Sequence, residues 1–203
     1  MKVLLVNGSP HAEGSTFTAL SETEKALHAA GVDTEWYQLG TQPVRGCVAC
    51  RKCAELGRCA FDDDGANRLA EAIKGADGVV VGSPVYYAGP NAALCALLER
   101  AFYSAARNNF AGKVAAAVVC CRRGGATAAL DRLNKFFTIS RMPVASSQYW
   151  NMAHGNSGAE VQQDAEGMQT MRTLGAQVAW MLQGLAGKAQ PAQEEPARTN
   201  FIR

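Results

Sequence analysis

Residues 46–59 read GCVACRKCAELGRC and place Cys47, Cys50, Cys53 and Cys59 at the spacing C-x2-C-x2-C-x5-C. Thiolates three and six residues apart in a curling loop can converge on one face, and a fourth close behind can complete a site around them. Such a set can hold a metal ion, hold an iron–sulfur cluster, or work as free thiols. Arg51, Lys52 and Arg58 stand among the cysteines and offset the negative charge of thiolates under each of these readings. Cys95, Cys120 and Cys121 lie in apolar surroundings and read as small buried hydrophobes.

The rest of the chain narrows the choice. After Lys2 only VLLV precedes NGSP, too little for the apolar stretch of a signal peptide, and no apolar run approaches the length of a bilayer. A cytoplasmic location and no membrane partner are expected, and in the cytosol thiols stay reduced, so a disulfide framework is out of place. Zinc sites more often pair two C-x2-C knuckles across a longer stretch, whereas a three-cysteine run with a close fourth resembles the ferredoxin-type binding of a [4Fe–4S] cube. Zinc and free or reversibly oxidised thiols stay open beside it. With 20 Lys and Arg against 18 Asp and Glu and no basic run, a dedicated nucleic-acid binder is excluded.

The 203 residues suffice for one domain with small insertions. KVLLV (2–6) reads as a strand buried on both faces, followed by a helix over 15–30 that stops at Gly31. Further strands are predicted at 33–39, 78–82, 113–121 and 143–150. Helices are predicted within 64–77 and over 91–107, 127–139 and 166–185, the third of the five with Leu94, Leu97, Leu98, Ala101 and Phe102 on one face. Five strands alternating with five helices imply an α/β fold of three layers, a parallel sheet with helices on both faces. The cysteine-rich insertion spans 46–60, and a second insertion, NMAHGNSGAEVQQD, spans 151–164. The domain is expected to end near 186, with 187–203 a tail docked on it or on a partner subunit.

Open parallel sheets bind ligands at the carboxyl ends of their strands, where the strand order reverses. For the order 2-1-3-4-5 that point lies between the loops after strands one and three. The first loop, NGSPHAEGST (7–16), brings the hydroxyls of Ser9, Ser15 and Thr16 and free amides to a helix N-terminus, a phosphate site without the lysine and spacing of a nucleotide-hydrolysing P-loop. The second, GSPVYYAGP (82–90), is stiffened by Pro84 and offers Tyr86 and Tyr87. The third, CRRGGAT (121–127), adds two arginines at the same edge.

With NGSPHAEGST, GSPVYYAGP and CRRGGATAALDRLNKFF, the chain resembles the flavodoxin-like NAD(P)H-dependent FMN reductases over about residues 1–185 and, more narrowly, the iron–sulfur flavoproteins. The resemblance implies that Ser9, His11, Ser15, Thr16 and Phe17 grip the FMN phosphate. It places the isoalloxazine against Pro84, Val85, Tyr86, Tyr87 and Gly89, with Arg123 and Gly124 nearby. It also implies a [4Fe–4S] cluster on the four cysteines and a homodimer or homotetramer in which electrons cross a subunit contact, with YWNMAHG (149–155) and the tail as candidate interface elements. His154 and Trp150 have plain readings too, as a solvated loop residue and a core residue.

The expected function is an FMN oxidoreductase that takes electrons from NAD(P)H or an iron–sulfur donor and hands them to a small acceptor such as a quinone, oxygen or a ferredoxin-like redox protein. No acid–base side chain is demanded, because the flavin carries the chemistry. A non-catalytic flavodoxin-type electron carrier is the alternative, although such carriers are strongly acidic. A zinc-stabilised binding module on the same fold is another. A low-molecular-weight tyrosine phosphatase needs a C-x5-R loop after the first strand, where this chain has Ser9 and no cysteine.

Overall fold

Val3 to Val6 are wholly buried in the strand Lys2–Asn7 (β1), as a continuous apolar run requires when helices cover both sheet faces. The structure is a computed structural model that describes residues 1–195, 197 and 199, and the side chains of all of these except 105–109. After β1 come the helix Ser15–Ala29 (α1) and the strand Asp33–Gln38 (β2). The cysteine insertion follows with its short helix Cys53–Leu56 (α2), then Ala66–Lys74 (α3). The strand Gly78–Tyr86 (β3) turns back into Gly89–Pro90 (β4), and Ala92–Asn109 (α4), Val114–Cys121 (β5) and Ala126–Ile139 (α5) follow. Met152–His154 (β6), Gly158–Gln163 (α6) and Ala165–Leu185 (α7) complete the described elements.

The sheet order is β2-β1-β3-β5-β6, all parallel, with β4 antiparallel on β3 outside that path. β2 and the three-residue β6 form its two margins. Alternate strand residues feed two cores. Leu4, Val6, Val79, Val81, Ala117 and Val119 pack under Leu69, Leu97, Leu133 and Phe137 of α3, α4 and α5. Val3, Leu5, Val80, Ala116 and Val118 pack under Leu20, Leu27, Met171, Leu174 and Val178 of α1 and α7. Each such leucine or valine stabilises the fold by about 1.5–3 kcal/mol relative to leaving it in water.

The expected order, with helices on both faces, is observed, and two details of the expected five strands are corrected. Among the described residues the sheet has six strands, because β3 continues past Gly82 into a hairpin with β4. The last parallel strand lies at 152–154 rather than over 143–150. Residues 143–150 pair with the sheet through the single bridge between Ala115 and Val144, and then turn, with Ser147 Oγ donating to Tyr149 O (2.6 Å). Tyr149 and Trp150 are exposed, so Trp150 is no core residue, while Met152 and Ala153 are buried against Val119 and Cys120. The polar run Ser146–Gln148 has nothing apolar to bury in a strand, and the apolar pair that follows it does.

Beyond α7, Gln190 Nε2 donates to Ala111 O (2.7 Å), while Arg141 donates to Gln193 Oε1 (2.7 Å) and Pro191 O (3.1 Å). Residues 196, 198 and 200–203 of the expected tail lie outside the described residues. Among the described residues no helix is long and apolar enough to cross a membrane.

Candidate functional site

The loop after β1 is shaped by its own strand ends. Asn7, buried at the end of β1, donates from Nδ2 to Gln38 Oε1 (2.7 Å), His11 O (3.2 Å) and Ala12 O (3.3 Å), and its Oδ1 accepts from the Ser9 amide (3.1 Å). Gln38 Nε2 donates to Ser9 O (2.8 Å), and Ser9 Oγ accepts from the His11 amide (3.1 Å). Behind this loop α1 begins at Gly14 without a side-chain cap, so the amides of Ser15, Thr16 and Phe17 have no intrahelical acceptor and sit at the positive end of the helix dipole. Thr16 Oγ1 is buried near the Cys120 thiol and makes no hydrogen bond of ordinary geometry among the described residues. A buried hydroxyl left unpaired costs about 1–3 kcal/mol, and three free amides beside it make a donor set that a phosphate monoester satisfies.

The remaining predicted residues of this loop differ in role. Ser15 Oγ approaches Gly155 O (3.5 Å), which ties the loop after β6 to the start of α1. The Phe17 ring stacks on Trp36 at 4.9 Å, so its amide rather than its ring belongs to the cradle. The His11 side chain is exposed. Beneath the cradle, Cys120 Sγ donates to Ser15 O (3.4 Å), and complete burial pushes this thiol up to about 12, so it stays a protonated donor.

Gly8 brings the first loop against the second. Its amide donates to Gly82 O (2.8 Å), its carbonyl accepts from Asn91 Nδ2 (2.9 Å), and a Cβ there would stand 2.6 Å from Gly82 O. Ser83 Oγ accepts from the Asn91 amide (2.9 Å) and donates to Pro84 O (2.8 Å), fixing the base of the hairpin. The stem pairs Val85 with Pro90 and Tyr86 with Gly89, and the turn is made by Tyr87 and Ala88 at φ 50° and 60°. Two-residue turns of this left-handed kind ordinarily take Asn-Gly or Gly-Gly, because other residues pay about 1–2 kcal/mol each there. The turn leaves Tyr86 exposed and Tyr87 entirely in solvent. Gly125 of the third loop, at φ +89°, lies directly beneath: a Cβ on it would come within 2.7 Å of Ala88 Cα and 3.2 Å of Val85 Cγ1. Arg122, Arg123 and Gly124 are exposed beside it. The three loops thus meet at one edge of the sheet.

The cysteine insertion is anchored from α4 and α3. Arg100 of α4 is buried; its Nε donates to Cys59 Sγ (3.3 Å), Nη1 to Arg45 O (3.2 Å) and to Asp64 Oδ2, and Nη2 to Phe61 O (2.8 Å). Asp64 also accepts from the Arg45 amide (2.9 Å). Burial works against the charge on Asp64, but the Arg45 amide and the Arg100 guanidinium outweigh it and hold the carboxyl below the usual carboxylate range. Asn67 of α3 clamps Cys59 by its amide (2.9 Å) and carbonyl (3.0 Å). Cys59 is buried, Cys53 half-buried and Cys47 and Cys50 exposed, and the intervening Ala49 and Arg51 adopt left-handed φ of 52° and 60°. Burial pushes the Cys53 thiol up, and the neighbouring thiols add to this.

All four cysteines line one small cavity of about 20 Å³, with Arg100, Phe61 and Tyr103 in its walls. Among the described residues no three Cys, His, Asp or Glu side chains are gathered so as to hold a single metal ion. The buried Arg100 guanidinium offsets the charge that these cysteines would carry as thiolates. Asn91 stands immediately before α4 and Arg100 lies within it, about 14 Å of helix rise further on, so α4 buttresses both the cradle and the cysteine insertion.

His154 ends β6 beside Cys121, its amide bonded to Asp164 Oδ2 (2.7 Å), while Asp164 Oδ1 caps α7 at the Gly167 amide (2.9 Å). Sequence reasoning missed Asn7, Gln38, Asn91, Asp64, Asn67 and Arg100. Arg100 had a signal: it follows Leu97 by three residues and therefore shares the buried face of its helix.

Residues 1–157 match the model of the family described as NADPH-dependent FMN reductase. An iron–sulfur flavoprotein of Methanocaldococcus jannaschii is 32% identical over 188 residues, covering 88% of this chain and 96% of its own. An iron–sulfur flavoprotein of Archaeoglobus fulgidus is 28% identical over 196 residues, covering 90% and 97%. Among solved structures, RosB with bound 8-demethyl-8-formylriboflavin-5'-phosphate matches at a TM-score of 0.75 over 100% of this chain and 93% of its own, at 15% identity, a likeness of fold. The matched span takes in all three sheet-edge loops and the cysteine insertion, and the chain belongs to the NADPH-dependent FMN reductase family, among its iron–sulfur flavoproteins.

Proposed function

We propose that this protein is an FMN-dependent oxidoreductase that takes electrons from NAD(P)H or an iron–sulfur donor and passes them to a small acceptor such as a quinone, oxygen or a redox protein. The carrying observation is the cradle at the start of α1, where uncapped amides and the orphaned Thr16 hydroxyl await acceptor oxygens. Bound FMN supplies the exchange of electrons. The chain's own residues supply position and charge. Ser9 and Asn7 hold the loop in the shape that turns its donors toward a phosphate. Pro84, Val85, Tyr86, Tyr87 and Gly89 would flank the ring system, and Arg123, exposed on the third loop, would favour its reduced, anionic form. Cys47, Cys50, Cys53 and Cys59 would hold a [4Fe–4S] cluster, a reading supported by their shared cavity and by the names of the relatives. In this reading the protein is a cytoplasmic homodimer or homotetramer, which the exposed Tyr149–Trp150 ring pair supports as a contact surface.

Anaerobic purification followed by titration with FMN, mixing with NADH or NADPH, and iron and sulfide analysis tests each part. Expected are one FMN per chain, bleaching of the visible flavin band at a catalytic rate, and about four iron and four sulfide per chain. A protein that binds no FMN overturns the assignment, absence of bleaching by either nucleotide removes NAD(P)H as the donor, and zinc without iron removes the cluster.

Thr16→Val provides a sharper test of the cradle. Valine keeps the shape and removes the unpaired hydroxyl, so the flavin-free protein is expected to gain about 1 kcal/mol in urea unfolding. FMN affinity is expected to fall about tenfold in the same variant, through loss of one hydrogen bond to a charged group. A loss of stability together with unchanged FMN affinity contradicts the role given to this hydroxyl.

A further inference from the structure

We propose that Arg100 is the positioning residue of the cysteine loop: its buried guanidinium fixes Cys59 as the anchoring ligand and leaves the other three thiols to be gathered by the group they bind. This rests on the four-cysteine reading above. One planar fork reaches the carbonyls of Arg45 and Phe61, which lie on the two sides of the cysteine run, and the Asp64 carboxylate and Cys59 sulfur as well. It therefore ties the start and finish of the insertion to one point on α4. Lysine cannot replace it, since a single ammonium has neither the spread nor the planarity to meet four acceptors in fixed directions.

The contrast among the cysteines supports the same assignment. Cys59 is held through its sulfur by Arg100 and through its backbone by Asn67, whereas Cys47 and Cys50 are exposed, on a stretch with left-handed residues at Ala49 and Arg51. One fixed sulfur, a half-buried one at the start of α2 and two exposed ones let a loop accept a bulky group without first placing four thiolates in mutual repulsion. An N–H donated to a ligand sulfur also stabilises the more negative, reduced state of a bound cluster, so this contact raises its potential.

The test uses the full chain, reduced and metal-free, in three arms. Iodoacetamide labelling mapped by mass spectrometry is expected to modify Cys59 at least about tenfold more slowly than Cys47 and Cys50 in the unaltered protein. Arg100→Lys is expected to erase most of that protection and to lower the iron and sulfide taken up on reconstitution, with FMN titration reporting that the sheet edge is folded. In reconstituted Arg100→Lys the cluster midpoint is expected to fall by about 59 mV, a tenfold change in a one-electron equilibrium, an effect that mere loosening of the loop does not predict. Equal labelling of the cysteines in the unaltered protein overturns the proposal, as does a folded Arg100→Lys protein with unchanged protection and potential. If the unaltered protein takes up no iron and sulfide, the cluster reading fails by itself, and the labelling arms still decide whether Arg100 places Cys59.

Discussion

Replacing Gly125 by alanine is expected to destabilise the protein by about 3 kcal/mol, the sum of a left-handed φ and a forced contact, and to weaken FMN binding about tenfold. The glycine stands at φ +89°, and its new Cβ would meet Ala88 Cα at 2.7 Å. That neighbour is backbone and cannot rotate aside, so the hairpin must lift away from the third loop. Tyr87 and Ala88 already hold unfavourable φ, and Gly125 is part of the layer that keeps them there. Gly124→Ala is the control, because a Cβ there meets nothing within 4 Å and its φ lies outside the left-handed range. Urea unfolding should separate the two variants clearly, and FMN titration of Gly125→Ala checks the loss of binding; equal stability of the two refutes the packing argument.

Asp64→Ala is expected to cost about 3–5 kcal/mol, because it leaves the buried Arg100 charge without its carboxylate. Both side chains are almost wholly buried, at 1% and 3% exposure. The pH dependence has a definite sign. Asp64 ionises at lower pH in the folded protein than in the unfolded chain, so its contribution is complete above the unfolded value of about 3.9 and is lost as the pH falls through the folded value. The stability gap between the unaltered protein and Asp64→Ala should thus be flat near neutral pH and shrink below about pH 4. Denaturant unfolding at a series of pH values measures it, and a gap that widens on acidification rules the ion pair out as its source. The paired change Arg100→Met with Asp64→Leu should recover much of the loss, since apolar residues remove the uncompensated charge.

The legible part of the fold is the part governed by period and burial. KVLLV, GVVV and VAAAVVCC could only be central strands, and the leucines of α4 declared their face, because each pattern reflects burial on a known number of sides. The last strand was illegible for the same reason. PVASSQYW carries the residue types of a strand, yet Tyr149 and Trp150 face solvent and three residues at 152–154 do the pairing. A strand that short has no periodicity to read.

At the site, the phosphate loop and the cysteine run were visible because their chemistry is local in sequence. Their supports were not. Asn7 and Gln38 are 31 positions apart, and Arg100 and Cys59 are 41 apart, so only the folded sheet shows that they touch. The hairpin was hidden by an unusual turn: Tyr-Ala carries none of the glycine or asparagine that ordinarily marks left-handed backbone.

The two margins of the sheet bear on how the molecule behaves in a crowded solution. At one side β2 carries outward-facing acids, with Asp33 exposed and Glu35 paired to Lys2 at 2.7 Å; at the other, β6 is only three residues long. Charge on one rim and brevity on the other deny an incoming chain a long template of free amides, a guard against fibril-like stacking. Growth by strand addition is therefore disfavoured, and self-recognition is left to helix surfaces and connecting segments, where a finite, countable complex can form.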